Sequence, residues 1–363
     1  MSGFHTGGAY LGILDIVNKC CILIGSHSSP LAAVLHWTCE NSMAAALSRK
    51  IITEKGRELG LDLIGFASTR SLEGKVPDRY RPSRIAEQMP TLIVVAKSSY
   101  SGFVVAHHAA TKQFWGGRII KRLDETCVKL ACFLESYGAA AFPVSSLMVD
   151  MGEREGLDLC PAGQGSPLLK AAAVEAGLGT LGLNLMLLTR EFGPRVYLGG
   201  VLTDAEVEPG KPLTKELCLG LEECGRCAAV CPEDAIPRRA QRGTPLSEVR
   251  GLDAAACARS SQPLGPRRFK VHLAQIFLTR DRLEKMWSLI GSRLTGAFWQ
   301  EMIMVKEGAF TGCSACVNVC PVGEDYQRLG ERGETAIPQF TKSITAEEVK
   351  VESLAKHSAE SLS

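Results

Sequence analysis

The chain has 363 residues, of which 45% are hydrophobic and 22% charged, and its formal net charge is +2. This composition excludes a wholly disordered protein, and the length is sufficient for two domains with separate cores. The balanced charge does not require a nucleic acid or a membrane as partner. The sequence also contains 14 cysteines, and clustered cysteines in a chain of this length more often bind metal than form a disulfide scaffold.

The N-terminal sequence has no basic start, no twin arginine and no clear cleavage site. No stretch approaches the roughly 18 consecutive apolar residues of a membrane-spanning helix. We therefore expect a cytoplasmic protein with no membrane partner, whose cysteines stay reduced.

Residues 1–42 show no sustained period, and the first helical pattern opens at Met43 and stops at Gly60. Two explanations stay open for 1–42: a genuine extension, or a segment that precedes the true start at Met43. Further helices are predicted along the apolar stripe from Ile120 to Leu134 and from Pro167 to Ala176. Strands are predicted over Leu61–Ala67, Leu92–Ala96, Ala140–Val144, Leu185–Leu188 and Val196–Thr203.

This alternation predicts an α/β domain over 43–215, in which Cys127 and Cys132 are expected to be buried and inert. The composition changes after Pro209–Pro212, and a cysteine-rich domain is expected over 216–325. Residues 326–363 form a polar tail, with a charged helix possible over 345–356.

Two segments of the cysteine-rich region end in Cys-x2-Cys-x3-Cys-Pro, the spacing of bacterial ferredoxins. The first contains Cys218, Cys224, Cys227 and Cys231, the second Cys313, Cys316 and Cys320, and Cys257 lies between them. Eight thiolates are the number that two 4Fe–4S clusters require. We assign Cys218, Cys224, Cys227 and Cys320 to one cluster and Cys231, Cys257, Cys313 and Cys316 to the other. Zinc bound by two Cys-x2-Cys pairs is the competing interpretation.

The segment between the two motifs is basic. It has eight Lys or Arg side chains between 238 and 270, namely Arg238, Arg239, Arg242, Arg250, Arg259, Arg267, Arg268 and Lys270. A solvated face is one interpretation, and a patch that docks RNA or an acidic electron donor is the other.

The segment Ala176-Gly-Leu-Gly179, followed by Leu181-Gly-Leu-Asn184 and an apolar strand, resembles the cobalamin-dependent reductases. These are epoxyqueuosine reductase and the reductive dehalogenases, in which such a segment precedes a double-cluster ferredoxin module. Residues 57–66 and 77–100 and the lone Cys257 are also similar to this family.

The resemblance implies an α+β, nitroreductase-like domain followed by a small ferredoxin-like domain with two clusters. It further implies that a cobalamin lies against a turn containing Gly177, Leu178, Gly179, Gly182 and Asn184. A flavin mononucleotide on the same fold is the alternative cofactor.

For the proton donor, the resemblance points to different residues. Epoxyqueuosine reductases carry an aspartate upstream of the turn, where Asp150 is one of the acids present here. Dehalogenases pair a tyrosine with a lysine or arginine, which suggests Tyr100 with Lys170.

The expected function is that of a reductase. A low-potential donor such as ferredoxin or flavodoxin would supply electrons through both clusters to a cobalamin, which reduces a small-molecule or nucleoside-type substrate, with tRNA as a further possibility. A ferredoxin-type electron-transfer protein that serves a separate corrinoid or flavin enzyme is the alternative.

Overall fold

A computed structural model describes residues 47–105, 109–146, 166–261, 266–304 and 313–329. The expected extension 1–42, Asp150, and most of the polar tail with its helix over 345–356 lie outside these residues.

Six strands, six α-helices and one 3-10 turn are described up to residue 203. The strands are β1 (Leu63–Ser68), β2 (Thr91–Ser98), β3 (Ala141–Val144), β4 (Gly179–Leu181), β5 (Leu187–Thr189) and β6 (Val196–Thr203). The helices in this part of the chain are α1 (Arg49–Glu58), α2 (Thr69–Leu72), α3 (Pro82–Ile85), α4 (Gly102–Val105), α5 (Ala109–Glu135) and α6 (Pro167–Glu175), with the 3-10 turn at Asp78–Tyr80.

The main sheet has the strand order β1-β2-β6-β3, and every neighbouring pair is antiparallel. Strand β2 lies in the interior of the sheet, and its residues Thr91–Ala96 are all buried. Because successive side chains of a strand point to opposite faces, Leu92 and Val94 face one side and Ile93 and Val95 the other. Strands β4 and β5 form a separate hairpin.

Helices cover both faces of the sheet. Helix α5 packs Leu123, Leu130 and Leu134 against the face that contains Ile93 and Val95. Helix α6 packs Leu168, Leu169 and Ala172 against the face that contains Leu92 and Val94. Each fully buried side chain of this size contributes roughly 1.5–3 kcal/mol, so these two apolar layers hold the sheet part of the molecule together.

Helix α6 shows how local sequence sets an element. The Ser166 side chain caps it by accepting a hydrogen bond from the Leu169 N–H at 3.3 Å, and Pro167 occupies the first turn, where a missing N–H costs nothing. The helix ends before Gly177, whose φ of +76° continues the chain in the left-handed region. The sequence therefore fixes both ends of the helix that precedes the glycine-rich turn.

Beyond residue 203 the regular elements among the described residues are all helices, and this part of the chain contains the cysteine motifs. The helices are α7 (Gly220–Glu223), α8 (Arg226–Ala229), α9 (Leu246–Val249), α10 (Ala254–Ser261), α11 (Pro266–Leu278), α12 (Leu283–Ile290), α13 (Arg293–Met304), α14 (Ala315–Asn318) and α15 (Glu324–Leu329). Within the described ranges, none of the helices is long and apolar enough to cross a membrane.

The expected mixed α/β architecture is confirmed, with differences in detail. The helix with the apolar stripe begins at Ala109, well before Ile120. The strand predicted over Leu185–Leu188 is wrong at its start, because Leu185 has a φ of +59° and belongs to the turn of the β4–β5 hairpin.

The two cysteines of helix α5 have different surroundings. Cys127 is buried, as expected, and burial together with the charge of Asp124 raises its pKa to about 12. The expectation that Cys132 is buried is wrong, because it is exposed. Five residues correspond to about 140° around a helix, which turns Cys132 away from the apolar stripe.

Candidate functional site

Short helices and tight turns present the cysteines of the first motif. Gly220 and Gly225 have positive φ angles of +77° and +59°. They let the chain turn sharply at the first residue of α7 and just after its end. Cys227 lies on α8, and Cys218 lies close to β4, because the Leu217 N–H donates to Thr180 Oγ1 at 3.0 Å. The turns therefore bring this motif against the β4–β5 hairpin.

Four thiols, which we call the first thiol set, interact electrostatically with one another: Cys218, Cys224, Cys227 and Cys320. Burial, with the charges of the other three members, raises the pKa of Cys227 to about 12. Burial, with a contribution from Cys218 and Cys224 and against the opposing charge of Arg195, raises the pKa of Cys320 to about 11.

The other four thiols form the second thiol set: Cys231, Cys257, Cys313 and Cys316. Burial raises the pKa of Cys257, with a further contribution from Cys231. Burial likewise raises the pKa of Cys313, and the charges of Cys257 and Cys231 act in the same direction. For Cys316, burial is again the main cause of a raised pKa, followed by Cys313. The members of both sets are those expected from the spacing, and their role as metal ligands stays a prediction.

Hydrogen-bond donors point at several of these sulfurs. The Ala235 N–H donates to Cys231 Sγ at 3.3 Å. Backbone N–H groups of Ala228, Ala315 and Val322 reach Cys227, Cys313 and Cys320 and oppose the rise of their pKa values. Such donors stabilise the thiolate relative to the thiol, and the thiolate is the form that binds iron. The donor chemistry therefore fits iron–sulfur clusters.

Across the described ranges, no three His, Cys, Asp or Glu side chains converge closely enough to hold one metal ion. The choice between zinc and iron–sulfur clusters stays a prediction.

Arg195 joins the start of β6 to the second cysteine motif. It is buried, and its guanidinium donates to both carboxylate oxygens of Asp325 at 2.6 Å. It also donates to the carbonyl oxygens of Val317 at 3.2 Å, Cys320 at 3.0 Å and Val322 at 2.7 Å. One side chain thus fixes the loop that presents Cys320 to the first thiol set.

Lys112 on α5 contacts the segment that carries Cys313 of the second thiol set. The side chain is buried, and Nζ donates to Ser314 Oγ at 2.7 Å. Burial lowers the pKa of Lys112 to about 8, while the charge of Cys313 opposes this change. A pocket of about 90 Å³ lies beside it, lined by residues that include Phe103, Lys112, Arg195, Tyr197, Ser314 and Asn318.

The glycines expected to contact a cobalamin approach the protein's own chain instead. A Cβ on Gly177 would lie 2.3 Å from the Lys211 carbonyl oxygen, and one on Gly179 would lie 2.0 Å from that of Leu188. A Cβ on Gly182 would meet the side chain of Asn184 at 2.9 Å. Internal packing therefore explains why these positions are glycine.

The other two residues of that predicted cofactor site also face protein. Leu178 packs against the apolar layer that contains helix α6. Asn184 is buried, accepts a hydrogen bond from the Met186 N–H at 3.2 Å and bonds to Cys316, which opposes the rise of the thiol's pKa. Asn184 thus serves the second thiol set. These five residues form no open cradle for a corrinoid, and their role in binding one stays a prediction.

The proposed proton donors have different neighbours. Tyr100 is 53% exposed and stacks edge to face on Phe103. Lys170 on α6 has a pKa lowered by burial and partly restored by the charge of Cys257, which associates it with the second thiol set. Asp150 lies outside the described residues. The catalytic role of all three stays a prediction.

Part of the basic segment is paired within the protein. Arg238 forms an ion pair with Asp234, Arg250 with Glu216 at 2.5 Å, and Arg259 with Glu233 at 2.7 Å. In each pair a carboxylate of the protein already compensates the positive charge of the arginine, which leaves less charge to attract an acidic partner. The pairs therefore favour a structural role for these three arginines.

Sequence reasoning missed Arg195, Asp325 and Lys112. Each is a charged residue, and such residues are ordinarily exposed. In the sequence, nothing about Arg195 before its strand indicates that it pairs with the carboxylate of Asp325, 130 positions later.

The chain is similar to two kinds of reductase. It is 27% identical over 209 residues to a tetrachloroethene reductive dehalogenase of Desulfitobacterium hafniense, which covers 56% of this chain and 28% of that protein. It is 29% identical over 153 residues to an epoxyqueuosine reductase of Bacillus cereus, covering 42% of this chain and 28% of the relative. The chain thus spans little more than a quarter of each relative's length, and no protein-family profile matches it. The expected resemblance to these reductases is confirmed.

Solved structures of the same two kinds are also similar. A selenomethionine-labelled epoxyqueuosine reductase matches with a TM-score of 0.44 and 20% identity, covering 80% of this chain and 70% of the other. The catabolic reductive dehalogenase NpRdhA matches with a TM-score of 0.44 and 16% identity, covering 84% and 35%.

Proposed function

We propose that this chain is an iron–sulfur reductase that carries two 4Fe–4S clusters. The observation that supports this most strongly is the grouping of eight thiols into two sets of four, with N–H donors directed at their sulfurs. The first thiol set holds one cluster and the second holds the other, in a small ferredoxin-like domain that follows a nitroreductase-like one.

The two clusters form a path for electrons that come from a low-potential donor such as ferredoxin or flavodoxin. Cys316 of the second set and Cys227 of the first interact electrostatically, so the two sets are neighbours. The pocket beside Lys112 adjoins the second set. In this proposal the first cluster receives electrons, and the second delivers them to a small-molecule or nucleoside-type substrate, or to tRNA, in the cytoplasm.

A corrinoid is the acceptor that the family resemblance implies, and it would supply a cobalt centre able to form a strong reductant. The five residues expected to bind it contact protein instead. This observation favours the second candidate, an electron-transfer protein that serves a separate corrinoid or flavin enzyme. No catalytic step is therefore assigned to a corrinoid here.

Metal analysis of anaerobically purified protein tests the proposal. We expect about eight iron atoms per chain, since two four-iron clusters require them. Cys316→Ser should lower the iron content, whereas Cys132→Ser, on an exposed helix face, should leave it unchanged. Four iron atoms, or zinc in place of iron, would contradict the two-cluster assignment.

Reconstitution with hydroxocobalamin separates the two candidate functions. Cobalt retained per chain alongside complete iron supports the corrinoid reductase. Complete iron without cobalt supports the electron-transfer protein, and a flavin spectrum in the purified protein supports the flavin alternative.

A further inference from the structure

Lys112 is a buried cation without an acidic partner among the residues that the structure describes. It is 7% exposed, and Ser314 Oγ accepts its hydrogen bond at 2.7 Å. Arg195, which is also buried in this region, is paired with the Asp325 carboxylate. A hydroxyl cannot neutralise a charge, and a buried charge is costly unless an opposite charge lies near it.

As a metal-bound thiolate, Cys313 would supply that opposite charge. Cys313 precedes Ser314 in the chain, and the charges of Lys112 and Cys313 act on each other. The first thiol set faces a different cation, because Arg195 acts on Cys320 while its own charge is balanced by Asp325. The two sets therefore differ in how much uncompensated positive charge lies beside them.

We propose that Lys112 is a counter-charge of the cluster held by the second thiol set, beside Lys170 near Cys257, and that it raises the reduction potential of that cluster. This inference rests on the proposed function, because it requires the clusters to be present. Reduction adds one negative charge to a cluster, and a nearby cation stabilises the reduced state more than the oxidised one. Lys112 thereby makes the second cluster the better electron acceptor, next to the pocket that it lines.

Redox titration of the intact, cluster-loaded protein, followed by electron paramagnetic resonance, tests this role. Lys112→Gln removes the charge and keeps a hydrogen-bond donor, and Lys112→Arg keeps the charge. Lys129→Gln is the matched control, since Lys129 is exposed on the same helix, α5. It lies about 25 Å farther along the helix, at a rise of about 1.5 Å per residue, and solvent and salt screen its charge at that distance.

We expect Lys112→Gln to shift one of the two midpoint potentials to a more negative value and to leave the other in place. A tenfold fall in the ratio of reduced to oxidised cluster at fixed potential corresponds to about 59 mV for a one-electron couple. Lys112→Arg should stay close to the wild-type potential, and Lys129→Gln should match it. Loss of about four iron atoms from Lys112→Gln, but not from Lys112→Arg, would also support a counter-charge.

Iron analysis distinguishes the two ways to fail. If the wild-type protein lacks eight iron atoms, the proposed function fails. If all variants keep eight and Lys112→Gln leaves both potentials unchanged, or if Lys112→Arg shifts them as much as Lys112→Gln does, the counter-charge assignment is overturned.

Discussion

The sheet part and the cysteine-rich part of the molecule differ in what holds them together. The sheet lies between two apolar layers that contain 14 and 12 buried residues. The apolar cluster beside the thiols contains three, Leu183, Ala228 and Ile236. So small a cluster stabilises little on its own, so we expect the cysteine-rich part to depend on polar links such as Arg195 and on the metal that we propose.

Removal of the metal should affect the two parts very unequally. We expect iron chelation under anaerobic conditions to unfold the region from Cys218 to Cys320, because metal-binding free energy is folding free energy in such regions. Strands β2 and β6 should stay folded. Hydrogen exchange followed by mass spectrometry, with and without iron, measures this difference. Equal loss of protection in both parts would contradict the comparison.

Loss of the Arg195 side chain should have the next largest effect. Arg195→Met leaves the Asp325 carboxylate buried without its partner, at a cost of roughly 3–5 kcal/mol. It also frees the loop of Cys320, so iron content should fall with stability. Thermal unfolding and iron analysis measure both effects.

The double variant Arg195→Met with Asp325→Leu is the informative control, since it removes both charges. It should recover part of the lost stability but not the position of Cys320. Full stability and full iron in the single variant would show that the link between the two parts is dispensable.

The sequence predicted the elements whose signal is local. The apolar strand Val196–Thr203 and the Pro167 start with the Gly177 stop of α6 match the structure. The ferredoxin spacing of the cysteines also predicted the membership of the two thiol sets, and their role as metal ligands stays a prediction.

Long-range contacts could not be predicted in this way. The glycine-rich turn was expected to contact a cofactor, and yet Gly179 approaches Leu188 across the hairpin. A glycine indicates that another group approaches the backbone closely, but it does not indicate whether that group belongs to the protein or to a cofactor. Lys112 and Ser314 are 202 positions apart, and no local period connects them.

Gly179→Ala should destabilise the hairpin that joins the two parts. The new Cβ would lie 2.0 Å from the Leu188 carbonyl oxygen, and overpacking of this kind typically costs about 1–3 kcal/mol. Gly102→Ala is the control, because nothing lies within 4 Å of its Cβ. Thermal unfolding should separate the two variants. Equal stability of the two variants would mean that the hairpin accommodates the new Cβ without losing free energy of unfolding.

The smallest expected effect concerns Asp62, at the edge of the sheet part and away from the thiols. Its carboxylate accepts hydrogen bonds from the Ser98 N–H at 2.7 Å, Ser98 Oγ at 2.8 Å and Lys97 Nζ at 3.0 Å. Burial raises the pKa of Asp62, but these bonds and the Lys97 charge outweigh burial, so the pKa lies below its ordinary value.

A lowered pKa in the folded state means that Asp62 stabilises the fold at pH values above its unfolded pKa of about 3.9. This contribution is lost as the pH falls through the lower, folded pKa. Because the pair with Lys97 is partly exposed, we expect less than about 1 kcal/mol. Thermal unfolding of wild type and Asp62→Asn should therefore differ at pH 7 and converge below pH ~3.9. Glu54→Gln, which alters an exposed pair with Lys50, should show no such convergence, and a gap for Asp62→Asn that widened in acid would reverse the assigned sign.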